Sequence, residues 1–432
     1  MEEKRLEASM AAGEFAAPES APAPPFTASI TEQLTAFCMY AVAYVYVCWT
    51  DDSRAVWLAV FTLAYAALTE LLHWNTPRPR ESWIWLGCMG LILSGILLDR
   101  NQVWGYYAPS FLHIFAVWWA LSRSGRLLEG ESGHLLPLDV LGGFVLFPFK
   151  HFFLRVRTVY YTFTHPRSGR GSVQPETAAW TVLAMLSATA LFILAVNLLA
   201  GADEGFAGLL SGLTGLFRVD WDGRLFSLRF LFSLPVGAYL FGLLAGTGRE
   251  DVETLRTRAG TVNKALERLR KVPGRVWLVL TGLFCLLYLA FFAVQARYLF
   301  GAFTRTLPEG FIVSEYARRG FFELCEVMSV NFVLLWLVTR SSREEVRQSA
   351  PAKALCLALL EESFLFAVVA FSKLGLYISC FGFTPLRLQS TWLVCVLAFG
   401  CLCAAYSLLR GKKTFRAWMI FGAVTLSLLH LY

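Results

Sequence analysis

The sequence predicts an all-α, polytopic integral membrane helix bundle with about 11 transmembrane helices plus short interfacial helices. Apolar runs recur along the chain at lengths of about 17 to 25 residues, and about 20 apolar residues in a helix cross a hydrocarbon core roughly 30 Å thick. Hydrophobic residues make up 56% of the chain and charged residues 16%, whereas about 25% of residues are charged in ordinary soluble domains. This composition, with a mean hydropathy of +0.54, excludes a soluble enzyme domain.

The predicted spans divide the chain into six parts. The spans are 34–49, 55–74, 83–98, 105–121, 177–200, 225–245, 276–300, 320–338, 354–378, 391–409 and 415–431. Residues 1–29 are rich in Ala, Pro and Glu, which predicts a disordered cytoplasmic tail. The parts that follow are a four-helix N-terminal membrane part (30–122), a cytoplasmic loop with an amphipathic helix (123–176), a two-helix membrane part (177–246), a cytoplasmic coiled-coil-like helix (247–275) and a C-terminal membrane part (276–432).

The basic residues set the expected orientation. Most of the 38 Lys and Arg residues lie on the N-terminal tail and on every second loop after it, and loops rich in Lys and Arg stay in the cytoplasm. We therefore expect a multi-pass protein of the bacterial cytoplasmic membrane, with a cytoplasmic N-terminus and an extracytoplasmic C-terminus. Because the basic residues flank spans, the net charge of +7 indicates no nucleic-acid partner, and the lipid bilayer is the expected surrounding.

Three segments between spans are expected to be helical without crossing, and two of them lie on the cytoplasmic side. After Pro148, apolar residues fall on one helical face and basic residues elsewhere, which predicts a basic helix in the inner-leaflet interface; they are Phe149, Phe152, Phe153, Val156 and Tyr160, with Lys150, Arg155 and Arg157. In 247–271, Thr247 and Glu250 resemble a capping box, and a 3,4-spaced stripe resembles a coiled-coil seam; it comprises Val252, Leu255, Ala259, Val262, Leu266 and Leu269. This stripe packs either on the protein's own inner face or against a membrane or cytoplasmic protein partner.

Ionisable residues inside spans are the main functional candidates, because a charge in the bilayer is costly unless it is paired or hydrated. Glu323 and Glu326 lie one helical turn apart, while Glu361 and Glu362 fall near the midplane of the next span. Lys373 lies about 17 Å further along that same helix, roughly level with the first acidic pair. These residues form either an ion, proton or substrate path or an ion pair that joins two helices. Of the midplane acids, we expect Glu362 to carry the function.

A group of basic residues is expected at the outer interface. Its members are Arg229, Arg297, Arg318, Arg319 and Arg387. They either bind an anionic lipid or a small anionic solute, or are arginines whose side chains reach to the interface beside the acidic pair.

Two motifs in the last third of the chain resemble a known family. Tyr316–Leu324 reads Y-A-R-R-G-F-F-E-L and is followed by Asn331, while Phe381–Arg387 reads F-G-F-T-P-L-R. They resemble the Y-A-R-x-G-F-x-x-L and Y-G-L-T-x-x-R signatures of an uncharacterised bacterial multi-pass membrane family, domain of unknown function 4173, which is related to 4153. Here Phe381 and Phe383 replace the usual Tyr and Leu. The resemblance implies a membrane fold and no particular reaction.

The motifs and the intramembrane charges together define a candidate binding site. It comprises Arg318, Glu323, Glu326, Asn331, Glu361, Glu362, Lys373, Thr384 and Arg387. The ten Cys residues form no C-x-x-C pair and the six His residues show no ligand spacing, so we predict no metal site, cofactor or catalytic residue. The pattern favours translocation or sensing of a small solute or ion through the polar layer of the last spans. Two alternatives stay open: a membrane-embedded enzyme acting on a lipid-linked substrate at the outer leaflet, and a non-catalytic scaffold or sensor signalling through the 247–271 helix.

Overall fold

The computed structural model describes residues 26–48, 54–98, 105–165, 223–304 and 313–432, and within these ranges the chain is helical without a β-sheet. The helices are α1 (Ile30–Val47), α2 (Arg54–Leu72), α3 (Arg80–Leu97), α4 (Ala108–Ser124), α5 (Leu136–Lys150, with a π turn at Gly142–Leu146), α6 (Leu154–Thr164), α7 (Gly223–Phe241, extended through a π turn to Arg249), α8 (Val252–Arg268), α9 (Gly274–Thr304), α10 (Val313–Ser341), α11 (Ala350–Phe381), α12 (Pro385–Arg410) and α13 (Phe415–Leu429).

Local sequence signals account for where several helices begin and end. Ser29 and Glu32 form a capping box that satisfies two otherwise free N–H groups at the start of α1. Helix α4 ends at Gly125 and α12 at Gly411, both with positive φ angles (67° and 74°) that glycine adopts without steric cost. Asp251 caps α8 through the Thr254 N–H. The predicted capping box at Thr247 is wrong, because that residue continues α7.

Six helices within the described ranges are long and apolar enough to cross a membrane, or seven if the bent pair Leu136–Lys150 and Leu154–Thr164 is one span. The prediction of about 11 spans is therefore not supported. Helices α1 and α3 have 18 residues each but begin with polar residues such as Glu32 and Arg80, which shortens their apolar stretch, while α4 has 17 residues and α13 has 15. The predicted span 177–200 and residues 1–25 of the predicted tail lie outside the described residues. The long apolar helices make the chain a membrane protein, and every regular element in the described ranges is a helix.

Buried hydrophobic residues form two clusters, which define two bundles. The N-terminal bundle comprises α1 to α4 and α7, with Phe147 of α5, Leu154 and Val159 of α6 and Leu255 of α8 in its core, and the C-terminal bundle comprises α9 to α12. The last helix lies between the bundles: Met419 and Ile420 of α13 pack against the N-terminal cluster and α13 contacts α3, while Trp418 of α13 stacks on Phe332 of α10 and α13 also contacts α12. The end of the chain therefore ties the two bundles together.

Polar contacts join many of the loops at one end of the bundles, which we call the inner end because it corresponds to the expected cytoplasmic side. The contacts are Glu32–Arg249 at 2.7 Å, His73 carbonyl–Arg123 at 2.6 Å, Gly248 carbonyl–Arg126 at 3.0 Å and a backbone bridge between Val272 and Ser342. Helix α8 lies at this end, with Leu255 and Ala259 of its apolar stripe buried and Leu269 exposed. Part of the stripe thus packs on the protein itself, while the protein partner stays a prediction.

Candidate functional site

A chain of hydrogen bonds crosses the interior of the C-terminal bundle. The Tyr288 hydroxyl of α9 donates to Asn331 Oδ1 of α10 at 2.7 Å, and Asn331 Nδ2 donates to Ser363 Oγ of α11 at 2.8 Å. The Ser363 hydroxyl donates in turn to the Leu359 carbonyl at 2.7 Å. All three side chains are buried. These hydrogen bonds therefore join three helices through buried polar side chains.

Glu362 lies next to this chain and faces into the same bundle. Its side chain is 8% exposed, whereas that of its neighbour Glu361 is exposed, because successive residues point about 100° apart around a helix. The Cys285 thiol of α9 lies beside the Glu362 carboxyl group. The second oxygen, Oε2, has no hydrogen-bond partner in the part of the chain that the structure describes. An acid in this setting is able to exchange a proton or hold a small cation.

Lys373 is the other buried ionisable residue of α11, with 0% of its side chain exposed. Eleven residues separate it from Glu362, which is about 17 Å along a helix. Glu323 and Glu326 lie on exposed positions of α10. Within the described side chains, no ion pair below 4 Å joins Lys373 to either carboxylate. The predicted ion pair of Lys373 with this acidic pair is therefore not seen in the described part of the structure.

The second motif forms a compact turn between α11 and α12. Arg387 donates to the Phe381 carbonyl at 2.8 Å and to the Gly382 carbonyl, and its guanidinium lies 4.1 Å from the centre of the Tyr377 ring. The Thr384 hydroxyl caps α12 by accepting the Arg387 N–H at 3.4 Å. These contacts hold the turn in place. The side chains of Arg318, Arg297 and Arg319 lie outside the described part, so the meeting of the two motifs stays a prediction.

Several residues in and beside this chain of hydrogen bonds were not predicted from the sequence. The sequence singled out Asn331 and Glu362, but not Tyr288, Cys285 or Ser363. An Asn inside a span needs hydrogen-bond partners, so partners as such were to be expected. Their identities depend on how α9, α10 and α11 are rotated against each other.

The burial of Arg155, on α6, was not predicted from the sequence either. The side chain is 3% exposed and points into the N-terminal bundle, with its guanidinium 3.9 Å from the centre of the Tyr40 ring. It lies directly against Gly237 of α7, where any larger side chain would collide with it. The apolar face expected to lie in the interface is exposed at Phe149, Phe153 and Val156. The absence of a side chain at Gly237 leaves room for the buried arginine.

A buried acid also organises the inner end. Glu81 of α3 accepts hydrogen bonds from Trp85 Nε1 at 2.9 Å, from the Ser132 N–H at 3.1 Å and from the Ser132 hydroxyl. Arg416 of α13 pairs with it at 3.2 Å. One carboxylate thus fixes a loop and the last helix to α3. Within the described ranges, no group of three or more His, Cys, Asp or Glu side chains is placed to hold a metal ion.

Comparison with known proteins identifies the family without adding an activity. The family model described as "Domain of unknown function (DUF4153)" matches residues 34–432. No curated protein and no solved structure matches the chain. The related family 4173, which the two motifs resemble, is not the one that matches. Because the match covers nearly the whole sequence, the chain belongs to the DUF4153 family.

Proposed function

We propose that this membrane protein translocates a small ion or solute, and that Glu362 is the group that takes up and releases a proton on the path. The observation that carries the proposal is the burial of the Glu362 carboxyl group beside the Tyr288–Asn331–Ser363 chain. A carboxyl group inside a membrane bundle is costly. Such groups characteristically lie on ion and proton pathways.

The wider path uses the remaining charges of the C-terminal bundle. Lys373 and Glu323 lie further along it, one on α11 and the other on α10. Arg318, Thr384 and Arg387 would form its outer mouth. In the same proposal the protein is multi-pass, with a cytoplasmic N-terminus and an extracytoplasmic C-terminus in a bacterial cytoplasmic membrane. The contacts among the loops at the inner end support this orientation, because the loops that meet there are the ones expected on the cytoplasmic side.

Proton flux into liposomes tests the role of Glu362. The purified protein is reconstituted with a pH-sensitive dye inside the vesicles, a potassium diffusion potential is imposed, and the initial rate of acidification is measured. We expect Glu362→Gln to lower the rate by at least about tenfold, because the amide cannot exchange a proton. The matched control is Glu361→Gln, which changes the same group on the exposed side of the helix and is expected to retain the rate. Equal rates for wild type and Glu362→Gln, or no flux in the wild type, would refute the proposal.

Reporter fusions test the orientation separately. A reporter that works only outside the cytoplasm should be active after Tyr432, and one that works only inside should be active near Ala259. The reverse pattern at both positions would overturn the orientation and leave the role of Glu362 to be judged by the flux assay.

A further inference from the structure

A cavity of about 930 Å³ lies between the two bundles at the inner end. Its walls come from α10 and α12 of the C-terminal bundle, from α13, and from the loop at residues 129–134. This volume falls within the range of about 300 to 1,000 Å³ that is usual for small-molecule sites. The Tyr288–Asn331–Ser363 chain is not part of it, so the cavity is separate from the proposed proton path.

The rim of the cavity carries charges of both signs. Lys413 lies 3.3 Å from Glu129, and Arg416 pairs with Glu131. Arg340, at the end of α10, has no carboxylate partner within the described residues. No side chain caps the first turn of α13 on the same rim, so free N–H groups there also favour an anion. The rim therefore offers an anion site beside two carboxylates.

Below the rim the cavity is apolar and open on one side. Val333 and Trp336 of α10 line it and are 58% and 53% exposed. The floor is closed by Phe332, which stacks on Trp418 with ring centres 5.3 Å apart. Val333 precedes Arg340 by seven residues, so the apolar wall extends about 10 Å below the charged rim. A ligand for this shape has a charged head and an apolar body.

We propose that this cavity binds a zwitterionic phospholipid of the phosphatidylethanolamine type, with its phosphate at Arg340 and Lys413 and its acyl chains along Val333 and Trp336. Charge complementarity carries the choice of head group. The phosphate matches the basic side chains and the uncapped first turn of α13, while the ammonium group matches Glu131, which is exposed at the rim. A phospholipid without an amine has the same phosphate but no positive group to face Glu131, which shares the rim with Arg416. The bound lipid would bridge the two bundles.

Lipid binding to the purified protein tests the proposal. The protein is delipidated in a maltoside detergent, and the binding of dioleoylphosphatidylethanolamine is followed by native mass spectrometry and by the shift of the melting temperature. We expect Arg340→Gln to weaken binding by at least about tenfold, and Ala404→Trp, which fills the cavity, to do the same. Arg343→Gln is the matched control, since it removes an exposed arginine three residues beyond the rim and should bind like the wild type. Arg340→Lys keeps the charge and should retain most of the binding.

Two further probes identify the source of the head group. Dioleoylphosphatidylglycerol should bind more weakly than the ethanolamine lipid, and water-soluble glycerophosphoethanolamine should give no shift at the same concentration. Equal binding of wild type, Arg340→Gln and Ala404→Trp would overturn the site. Equal or better binding of the glycerol lipid would overturn the zwitterionic head group, and protection by glycerophosphoethanolamine alone would overturn the lipid.

Discussion

The hydrogen-bond chain of the C-terminal bundle makes a quantitative prediction about stability. Replacing Asn331 with Leu removes both the acceptor of the Tyr288 hydroxyl and the donor to Ser363. The Ser363 hydroxyl keeps its bond to the Leu359 carbonyl. The Tyr288 hydroxyl, however, is buried and is left without an acceptor. The main penalty of Asn331→Leu therefore falls on Tyr288.

The size of the effect follows from these contacts. A buried polar group left unsatisfied costs about 1 to 3 kcal/mol, and hydrogen bonds between membrane helices average about 0.6 kcal/mol with a maximum near 1.7. We expect Asn331→Leu to lower the free energy of unfolding by about 2 kcal/mol and Tyr288→Phe by about 1 kcal/mol. In the double variant no hydroxyl is left without a partner, so its loss should be about 2 kcal/mol rather than about 3.

Reversible unfolding in mixed detergent micelles measures these differences. Ser329→Ala is the matched control, because Ser329 lies on the same helix at an exposed position and bonds only to the Cys325 carbonyl. We expect it to stay within about 0.5 kcal/mol of the wild type. Strict additivity of Asn331→Leu and Tyr288→Phe would refute the reasoning, because it would mean that the two side chains do not share a hydrogen bond.

Two further predictions concern other parts of the molecule. Burial first and the charge of Arg123 second lower the pKa of His73, which follows the last residue of α2, from 6.5 to about 4. The unfolded chain then binds more protons between these pH values, so the free energy of unfolding should fall by on the order of 3 kcal/mol from pH 7 to pH 4, and the melting temperature should fall with it. His73→Gln should flatten this fall; parallel pH profiles of wild type and variant would contradict the assignment. Gly237→Ala should lower the melting temperature, because its methyl group would displace the guanidinium of the buried Arg155 and come within 3.0 Å of Ala43 Cβ, whereas Gly87→Ala meets open space and should be neutral or slightly stabilising; equal effects of the two changes would argue against a buried arginine at this position.

Local properties of the sequence determined the class of the protein and several of its helix boundaries. Long apolar runs predict helices, because only a helix satisfies its backbone within one segment of a membrane. The helices α9 to α12 cover the corresponding predicted spans. Asn331 and Glu362 stood out because polar groups in such runs are rare. These inferences depend only on neighbours in the chain, so they need no knowledge of packing.

The tertiary structure decided which helix faces meet and which polar side chains are buried. Hydropathy does not say that Arg155 turns inward, because this depends on the space left by Gly237 in another helix. It does not say that α13 packs on the N-terminal bundle, since its apolar side chains suit either bundle. The cavity beneath Arg340 exists only because α10, α12, α13 and a distant loop come together at the inner end. Each of these features is set by contacts between residues far apart in the chain, and the periodicity of a single helix carries no information about them.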